Sequence, residues 1–446
     1  MIIKILRSGW VQKRCGVLGV LVCVSLAAVP VASADPPDPG NHECVVTNTG
    51  TVKCWGTNWM GNLGNDSTTD SLTPKLVSSL PSSAVQVTTG GDHSCARLAN
   101  NSIACWGSNY YRQIGIAGST GTTCEGLGGR ISCAKRPFIV TGLPGVPTRV
   151  VAGQEHTCVL VVGGSVACWG RNRSGQLGTT ATTGCSTPDR WGDFSCRPVS
   201  VKGLAGVVTQ VAAGGGATCA LIQSGSVQCW GDNSRGQLGT ASTGKCGETK
   251  SPSACAKTPV TVTGLGSGVK SISMGPSHAC AILTSEAIKC WGSNAFGQLG
   301  NTSSGACGGT DWWNACSKTP VVAQGLTGSF TQVIAGSGFT CALSSSGAVK
   351  CWGDNRFWQL GSTSTGKCGD PHYPQYLTSC SKTPITVQGS TAPFNRIHAG
   401  FAHTCASTST GLVQCWGFIE GWPSGSTSKK AVTVAGLIVS SAGLAR

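Results

Sequence analysis

Five histidines, His42, His93, His156, His278 and His403, each stand two residues before a cysteine. An imidazole beside a sulfur is raw material for a metal site or an activated thiol. Repetition argues against both. Each of those cysteines has a second one ten positions on, followed at once by Trp-Gly. Two further copies share this spacing. The seven pairs are Cys44 with Cys54, Cys95 with Cys105, Cys158 with Cys168, Cys219 with Cys229, Cys280 with Cys290, Cys341 with Cys351 and Cys405 with Cys415. In the two copies that lack the histidine, Ala217 and Phe339 occupy its position. A position that accepts His, Ala and Phe within one chain reads as structural, a turn or inter-unit hydrogen bond. Zinc sites space their cysteines about two to four residues apart, and none of these pairs does, so the spacing predicts disulfides.

Five more pairs lie in Gly/Ser/Thr-rich inserts that end in Lys-Thr-Pro or a variant. They are Cys124 with Cys133, Cys185 with Cys196, Cys246 with Cys255, Cys307 with Cys316 and Cys368 with Cys380. Nearest-neighbour pairing uses every remaining cysteine and gives twelve bridges, although sequence alone fixes no connectivity. No Ser/His/Asp set, carboxylate pair or metal triad stands apart from the repeats. Asp311, Asp370 and His372 are neighbours in the inserts and assign no chemistry. Neither a catalytic residue nor a cofactor is expected. The chemistry left is recognition, for which Trp, Tyr and Arg are the dominant side chains. Tyr110, Tyr111, Arg356, Phe357 and Trp358 follow the repeated Trp-Gly-x-Asn, and the inserts add Trp191, Trp312, Trp313, Tyr373 and Tyr376. These ten are the candidate ligand-binding residues, with Trp312-Trp313 foremost. The competing reading is that they fold back over inserts with little core of their own.

The elements that position these residues are repeated units. The second cysteines are 51, 63, 61, 61, 61 and 64 residues apart, and a fixed period of this size marks an array. Gly numbers 65 and charged residues are only 11%, which suits short strands joined by tight turns. In "CAILTSEAIKC" a three-residue loop at Thr284, Ser285 and Glu286 sets Cys280 opposite Cys290. Such loops end on a left-handed residue. That position is Gly50, Gly164, Gly225, Gly347 and Gly411 in five copies, Asn101 in a sixth and Glu286 in the last, where a mild cost is expected. Counting outward, the cysteines fall on a non-hydrogen-bonded pair, with Cα atoms roughly 4.5 Å apart. Each bridge then contributes on the order of 2.5–3 kcal/mol in the chain-entropy account.

Residues 1–34 read as a secretory signal: Lys4, Arg7, Lys13 and Arg14, an apolar stretch from Cys15 to Val29, and a small-residue cleavage site ending at Ala34. Residues 35–446 form a single domain. Losing the four signal-peptide bases takes the formal net charge from +15 to +11. The remaining bases are scattered, which argues for a solvated surface and against a nucleic-acid groove. No later segment is long and apolar enough to span a membrane. The expected location is secreted or periplasmic, and the expected state a monomer.

The unit "PVTVTGL…VKSISMGPSHACAIL…AIKCWGSNAFGQLG" resembles the regulator-of-chromosome-condensation repeat family. Gly-x-x-His precedes one strand, and Trp-Gly-x-Asn-x-x-Gly-Gln-Leu-Gly follows the turn, as in "WGRNRSGQLG", "WGDNSRGQLG" and "WGSNAFGQLG". The final copy, "WGFIEGWPSG", departs after Trp416-Gly417. The resemblance implies an all-β fold, a seven-bladed β-propeller with four antiparallel strands per blade. The first copy starts directly at the cysteine hairpin, and the chain ends in "AVTVAGLIVSSAGLAR", two strands without a hairpin. The C-terminal strands are therefore expected to complete the N-terminal blade and close the ring. The five inserts lie between the first and last blades, so they crown one face as a horseshoe open at the seam.

The leading functional expectation is an exported interaction module that engages a protein partner through the loops of the insert face. The resemblance allows this, since family members use the fold for protein contacts. A carbohydrate or cell-envelope binder is the alternative. A lyase, a hydrolase or a guanine-nucleotide exchange factor is less favoured, because export and disulfides separate the chain from a cytosolic GTPase.

Overall fold

The computed structural model describes residues 42–116, 122–126, 129–180, 193–241, 244–246, 253–302, 305–307, 314–364, 366–369, 377–391, 393–418 and 428–444. The signal-peptide reading lies outside them. The described residues form an all-β, seven-bladed propeller with antiparallel sheets and no α-helix. Blade 5 shows the plan. Its innermost strand is Val269–Met274, followed outward by His278–Leu283, Ile288–Ser293 and Ala315–Val322. Blades 2, 4, 5 and 6 add a short fifth strand from the insert, Thr123–Gly126, Gly244–Cys246, Gly305–Ala306 and Gly366–Cys368, against the outer strand.

The cysteine hairpins take the expected register. In every copy the first cysteine stands directly opposite the second and is bonded to it. The seven bridges are Cys44 to Cys54, Cys95 to Cys105, Cys158 to Cys168, Cys219 to Cys229, Cys280 to Cys290, Cys341 to Cys351 and Cys405 to Cys415. Their Cα–Cα separations are 4.0–4.1 Å, somewhat shorter than the roughly 4.5 Å expected of a non-hydrogen-bonded pair. The closeness confirms that pair type, and the covalent link draws the two strands together at that point. The loop-ending residues are left-handed in all seven copies, including Asn101 at φ 64° and Glu286 at φ 68°. Four insert bridges are local, Cys124 to Cys133, Cys246 to Cys255, Cys307 to Cys316 and Cys368 to Cys380. Cys196 is also disulfide-bonded, and Cys185 lies outside the described residues.

Closure uses the C-terminus in a more economical way than two separate strands. One long strand, Ser428–Leu444, does both jobs. Its first part is the outer strand of blade 7, with Val432 opposite Cys415. Its end is the innermost strand of blade 1, with Val439 opposite Thr47 and Leu444 opposite Val45. Blades 7 and 1 therefore share one continuous seven-stranded sheet. Val45, Trp55, Cys405, Cys415 and Val439 form a buried cluster across this seam.

Between blades the repeated tryptophans are fully enclosed. Trp106, Trp169, Trp230, Trp291, Trp352 and Trp416 are 0% exposed. Each indole N–H donates to one backbone carbonyl of the preceding blade, that of Asn62, Gln113, Gln176, Gln237, Gln298 or Gln359, at 2.8–3.0 Å. Each indole thus buries a large apolar surface with its polar edge satisfied. Nearer the axis, Gln86, Gln210 and Gln332 reach the next blade's innermost strand through both amide atoms, at Val150, Ile272 and Ile397.

Candidate functional site

The repeated histidines turn out to be fasteners between blades. His93 Nε2 lies 2.8 Å from Thr157 Oγ1 in the next blade, and that hydroxyl donates to the Gln113 carbonyl at 2.8 Å. His42–Ser94, His156–Thr218 and His278–Thr340 repeat the arrangement at 2.8 Å. Because the hydroxyl proton goes to the carbonyl, the imidazole must donate from Nε2. Burial pushes these rings well below the ordinary histidine range, to about 4 for His42 and about 3 for His93, His156 and His278. They are neutral at physiological pH and carry no proton traffic. The Gly-x-x-His glycine makes room for the ring: a Cβ on Gly153 would lie 2.1 Å from the His156 ring.

The signal for this network was present in the sequence but lies across copies. Where one blade has His, the next has Ser or Thr before its cysteine; where blade 4 has Ala217, blade 5 has Ala279. The seam breaks the rule. Glu43 stands where a hydroxyl is expected. It is 1% exposed, with His403 Nε2 hydrogen-bonded to Oε2 at 3.1 Å. His398 Nδ1 sits 3.1 Å from Oε1, at ion-pair distance without hydrogen-bonding alignment. Burial pushes the Glu43 carboxyl up, but His398 and His403 outweigh it and hold the group at about 2. Among the described residues no group of His, Cys, Asp and Glu is arranged to hold a metal.

The repeated asparagines other than Asn109 hold the loop after Trp-Gly. Asn172 accepts from Leu177 N at 3.0 Å and donates to the Thr179 carbonyl at 2.9 Å, and Asn233, Asn294 and Asn355 do the same at their loops. On these loops the candidate aromatics meet cations. Tyr110 and Tyr111 pack edge to face at 4.6 Å, and the Arg171 guanidinium of blade 3 lies 4.5 Å from the Tyr111 ring centre. Arg171 also pairs with Glu155. Arg356 is held by Asp354 at 2.8 Å and lies 4.6 Å from the Phe296 ring centre of blade 5. Phe357 leans on Phe418 of blade 7 at 5.6 Å, and Lys429 Nζ sits 4.3 Å from the Trp358 ring centre. Tyr111, Arg356, Phe357 and Trp358 therefore make contacts across blade junctions, Tyr110 packs on Tyr111, and part of this surface faces solvent: Tyr110 is 41% and Phe357 37% exposed. Trp191, Trp312, Trp313, Tyr373 and Tyr376 lie outside the described residues.

The axial channel opens on the same face. Its wall includes Arg149, Gln210, Ser271, Gln332 and His398. Its mouth is a ring of nested backbone loops: a Cβ on Gly275 would lie 2.5 Å from the Gly336 carbonyl oxygen. Between these loops the mouth is lined by Gln154, Pro276, Ser337 and Phe401, at a position that varies from blade to blade.

Models of the regulator of chromosome condensation (RCC1) repeat match residues 84–113, 148–176, 208–237, 269–298 and 330–359, and, in a second form, 49–97, 163–221, 224–282 and 290–343. The chain belongs to this family. The Arabidopsis thaliana ultraviolet-B receptor UVR8 is 27% identical over 384 residues, 85% of this chain and 75% of its own. The human E3 ubiquitin-protein ligase HERC2 is 28% identical over 370 residues, 81% of this chain; the match spans only 6% of that protein. Yeast RCC1 (Prp20), solved bound to Kap60, superposes with a TM-score of 0.67 at 21% identity, covering 89% of this chain and 84% of its own. Human WBSCR16 superposes at 0.65 and 19% identity, covering 86% of this chain and 94% of its own. At that identity the structural likeness speaks for the fold. No helix among the described residues is long and apolar enough to cross a membrane.

Proposed function

We propose that this propeller is an exported, non-enzymatic module that engages a protein partner through the loops of its insert face. One observation carries the reading. Each described hairpin is stapled by its own disulfide, and six of the seven are locked to the preceding blade by a Trp–carbonyl bond, while the inserts leave the blades on the opposite side. A rigid scaffold with variability gathered on one face is the arrangement in which loops do the binding. The exposed parts of Tyr110 and Phe357 supply aromatic surface there. The local bridges suit an oxidising compartment, in line with an export signal at residues 1–34.

The test is site-specific photo-crosslinking in oxidised protein comprising residues 35–446. A crosslinker at Tyr110 or Phe357, on the insert face, is compared with one at Ser224, on a hairpin tip. The expected result is one partner protein trapped from the insert-face positions and released by Trp312→Ala/Trp313→Ala. Trapping from Ser224 alone, or retention of glycan in place of protein, would overturn the reading.

A further inference from the structure

The outer strands carry a second pattern, visible only once their register is known. Opposite the Trp-Gly glycine of each blade stands Ala134, Ala256, Ser317, Ser381 or Ser428 in blades 2, 4, 5, 6 and 7. The next residue is a lysine every time: Lys135, Lys257, Lys318, Lys382 and Lys429. Four of them are seated against a left-handed glycine of the preceding blade. A Cβ on Gly61, Gly175, Gly236 or Gly297 would lie 2.9, 2.6, 3.1 or 2.7 Å from the Cα of Lys135, Lys257, Lys318 or Lys382. At the junction of blades 6 and 7 the glycine position is Trp358, also left-handed at φ 66°, and Lys429 lies over its ring.

The junction of blades 2 and 3 exchanges the two sides. The lysine position is Cys196, next after Ser195, and the glycine position is Arg112, left-handed at φ 66°. The cation is supplied by the other strand, and its Nε is buried without a hydrogen-bond partner. At the seam the lysine position is Leu72, next after Ser71, which is 55% exposed. The six junctions from blade 1/2 to blade 6/7 each carry one cation, and the arc is interrupted only where the ring closes. Among the described residues none of the six is in an ion pair. Asp66 feels the charge of Lys135, but its partner is Arg136 at 2.7 Å.

We infer that this rim binds a linear anionic polysaccharide. Cations repeated at equivalent positions suit a ligand whose anions also repeat, because weak contacts then accumulate along one chain. Like charges left without native partners repel one another, and a polyanion relieves that cost. Exposed aromatic side chains stand in the same turns as two of these cations, Tyr110 two residues from Arg112 and Phe357 next to Trp358, over which Lys429 lies; they offer faces for sugar rings, which favours a polysaccharide over an acidic peptide. The cations lie where the inserts end and the outer strands begin, so the rim adjoins the surface of the protein-partner reading; the rim lysine variant tests it separately from Trp312→Ala/Trp313→Ala.

The experiment measures binding of oxidised protein, residues 35–446, to polygalacturonate, to its neutral methyl ester, to digalacturonate and to poly-L-glutamate. The rim variant replaces Lys135, Lys257, Lys318, Lys382 and Lys429 by Gln, which keeps much of each stem and removes the charge. A control variant replaces Lys53, Lys75, Lys202, Lys289 and Lys350 by Gln, with the same loss of net charge. Unchanged circular dichroism and melting establish that both variants fold. The expected result is tightest binding to polygalacturonate, gained with chain length, screened by salt, and weakened at least about tenfold in the rim variant only. Equal losses in both variants would reduce the effect to net charge and overturn the inference. So would equal binding of the methyl ester, and poly-L-glutamate binding as tightly as polygalacturonate would reassign the rim to acidic protein segments.

Discussion

Glu43→Ala should loosen the ring at one place and leave the blades intact. Glu43 replaces the hydroxyl that fastens other junctions, and it is enclosed between His398 and His403. Removing one partner of a buried, hydrogen-bonded charged set costs on the order of 3–5 kcal/mol. Here the cost falls on the seam, where the innermost strand of blade 1 comes from the other end of the chain. Each ~1.4 kcal/mol is a factor of ten in an equilibrium, so opening of the seam should become roughly a hundredfold or more easier. Hydrogen–deuterium exchange of the backbone from Val439 to Leu444 reads this directly, with the strands of blade 5 as internal reference. Glu43→Thr restores the His–hydroxyl joint and should recover about 1 kcal/mol relative to the alanine variant. The wild-type seam should also be sensitive to acid. The folded carboxyl lies below its ordinary value of 4.5, at about 2, so its contribution is present above about pH 4.5 and is lost as pH falls towards 2. Unchanged exchange in Glu43→Ala, or a threonine variant no tighter than the alanine one, would refute the reasoning.

Other expectations concern the blades themselves. In a double-mutant cycle of His156→Ala and Thr218→Ala, denaturant unfolding should give a coupling of about 1 kcal/mol, because the second substitution removes the group that the first left unpaired; simple additivity would contradict the network. Glu286→Gly relieves a left-handed residue and should raise stability by roughly 0.5–1 kcal/mol, less the small contribution of its exposed pair with Lys270; a lowered melting temperature would count against it. Burial raises the Asp92 carboxyl from 3.8 to about 6, so the folded state holds the extra proton and stability falls as pH rises between those values. Asp92→Asn should flatten that slope in unfolding curves taken from pH 4 to 7.

The parts of the fold that were legible in the sequence are those specified within one unit. Ten-residue cysteine spacing and a left-handed loop end determine one hairpin, so Asn101 and Glu286 could be placed without a structure. The repeated histidine could be recognised as structural because Ala217 and Phe339 replace it. Its partner was hidden, because Thr157 or Thr218 acts one blade away and only comparison between copies exposes the match. The rim lysines were hidden for a related reason: "KTP" reads as the end of an insert until strand pairing aligns its lysine with the preceding blade's turn. Tyr110, Tyr111, Arg356, Phe357 and Trp358 stand in the turns after Trp-Gly-x-Asn, but periodicity says nothing about the cross-blade stacking that occupies Tyr111, Arg356 and Trp358.

The confinement of disulfides also bears on how such a chain can change over generations. Blade 5 carries Cys280, Cys290, Cys307 and Cys316, and its two bridges close within it. Duplicating or deleting such a unit alters the cysteine count by four and strands no odd thiol. Where the chain folds under oxidising conditions, each blade can complete its own oxidation before the next has formed, and the order of bond formation then follows the order of the chain. What a new copy must match is its neighbour across the junction: His with a hydroxyl at four junctions, Ala217 with Ala279, Phe339 with Thr404, and His403 with Glu43 at the seam. The oxidative chemistry is inherited blade by blade, while compatibility is inherited in pairs.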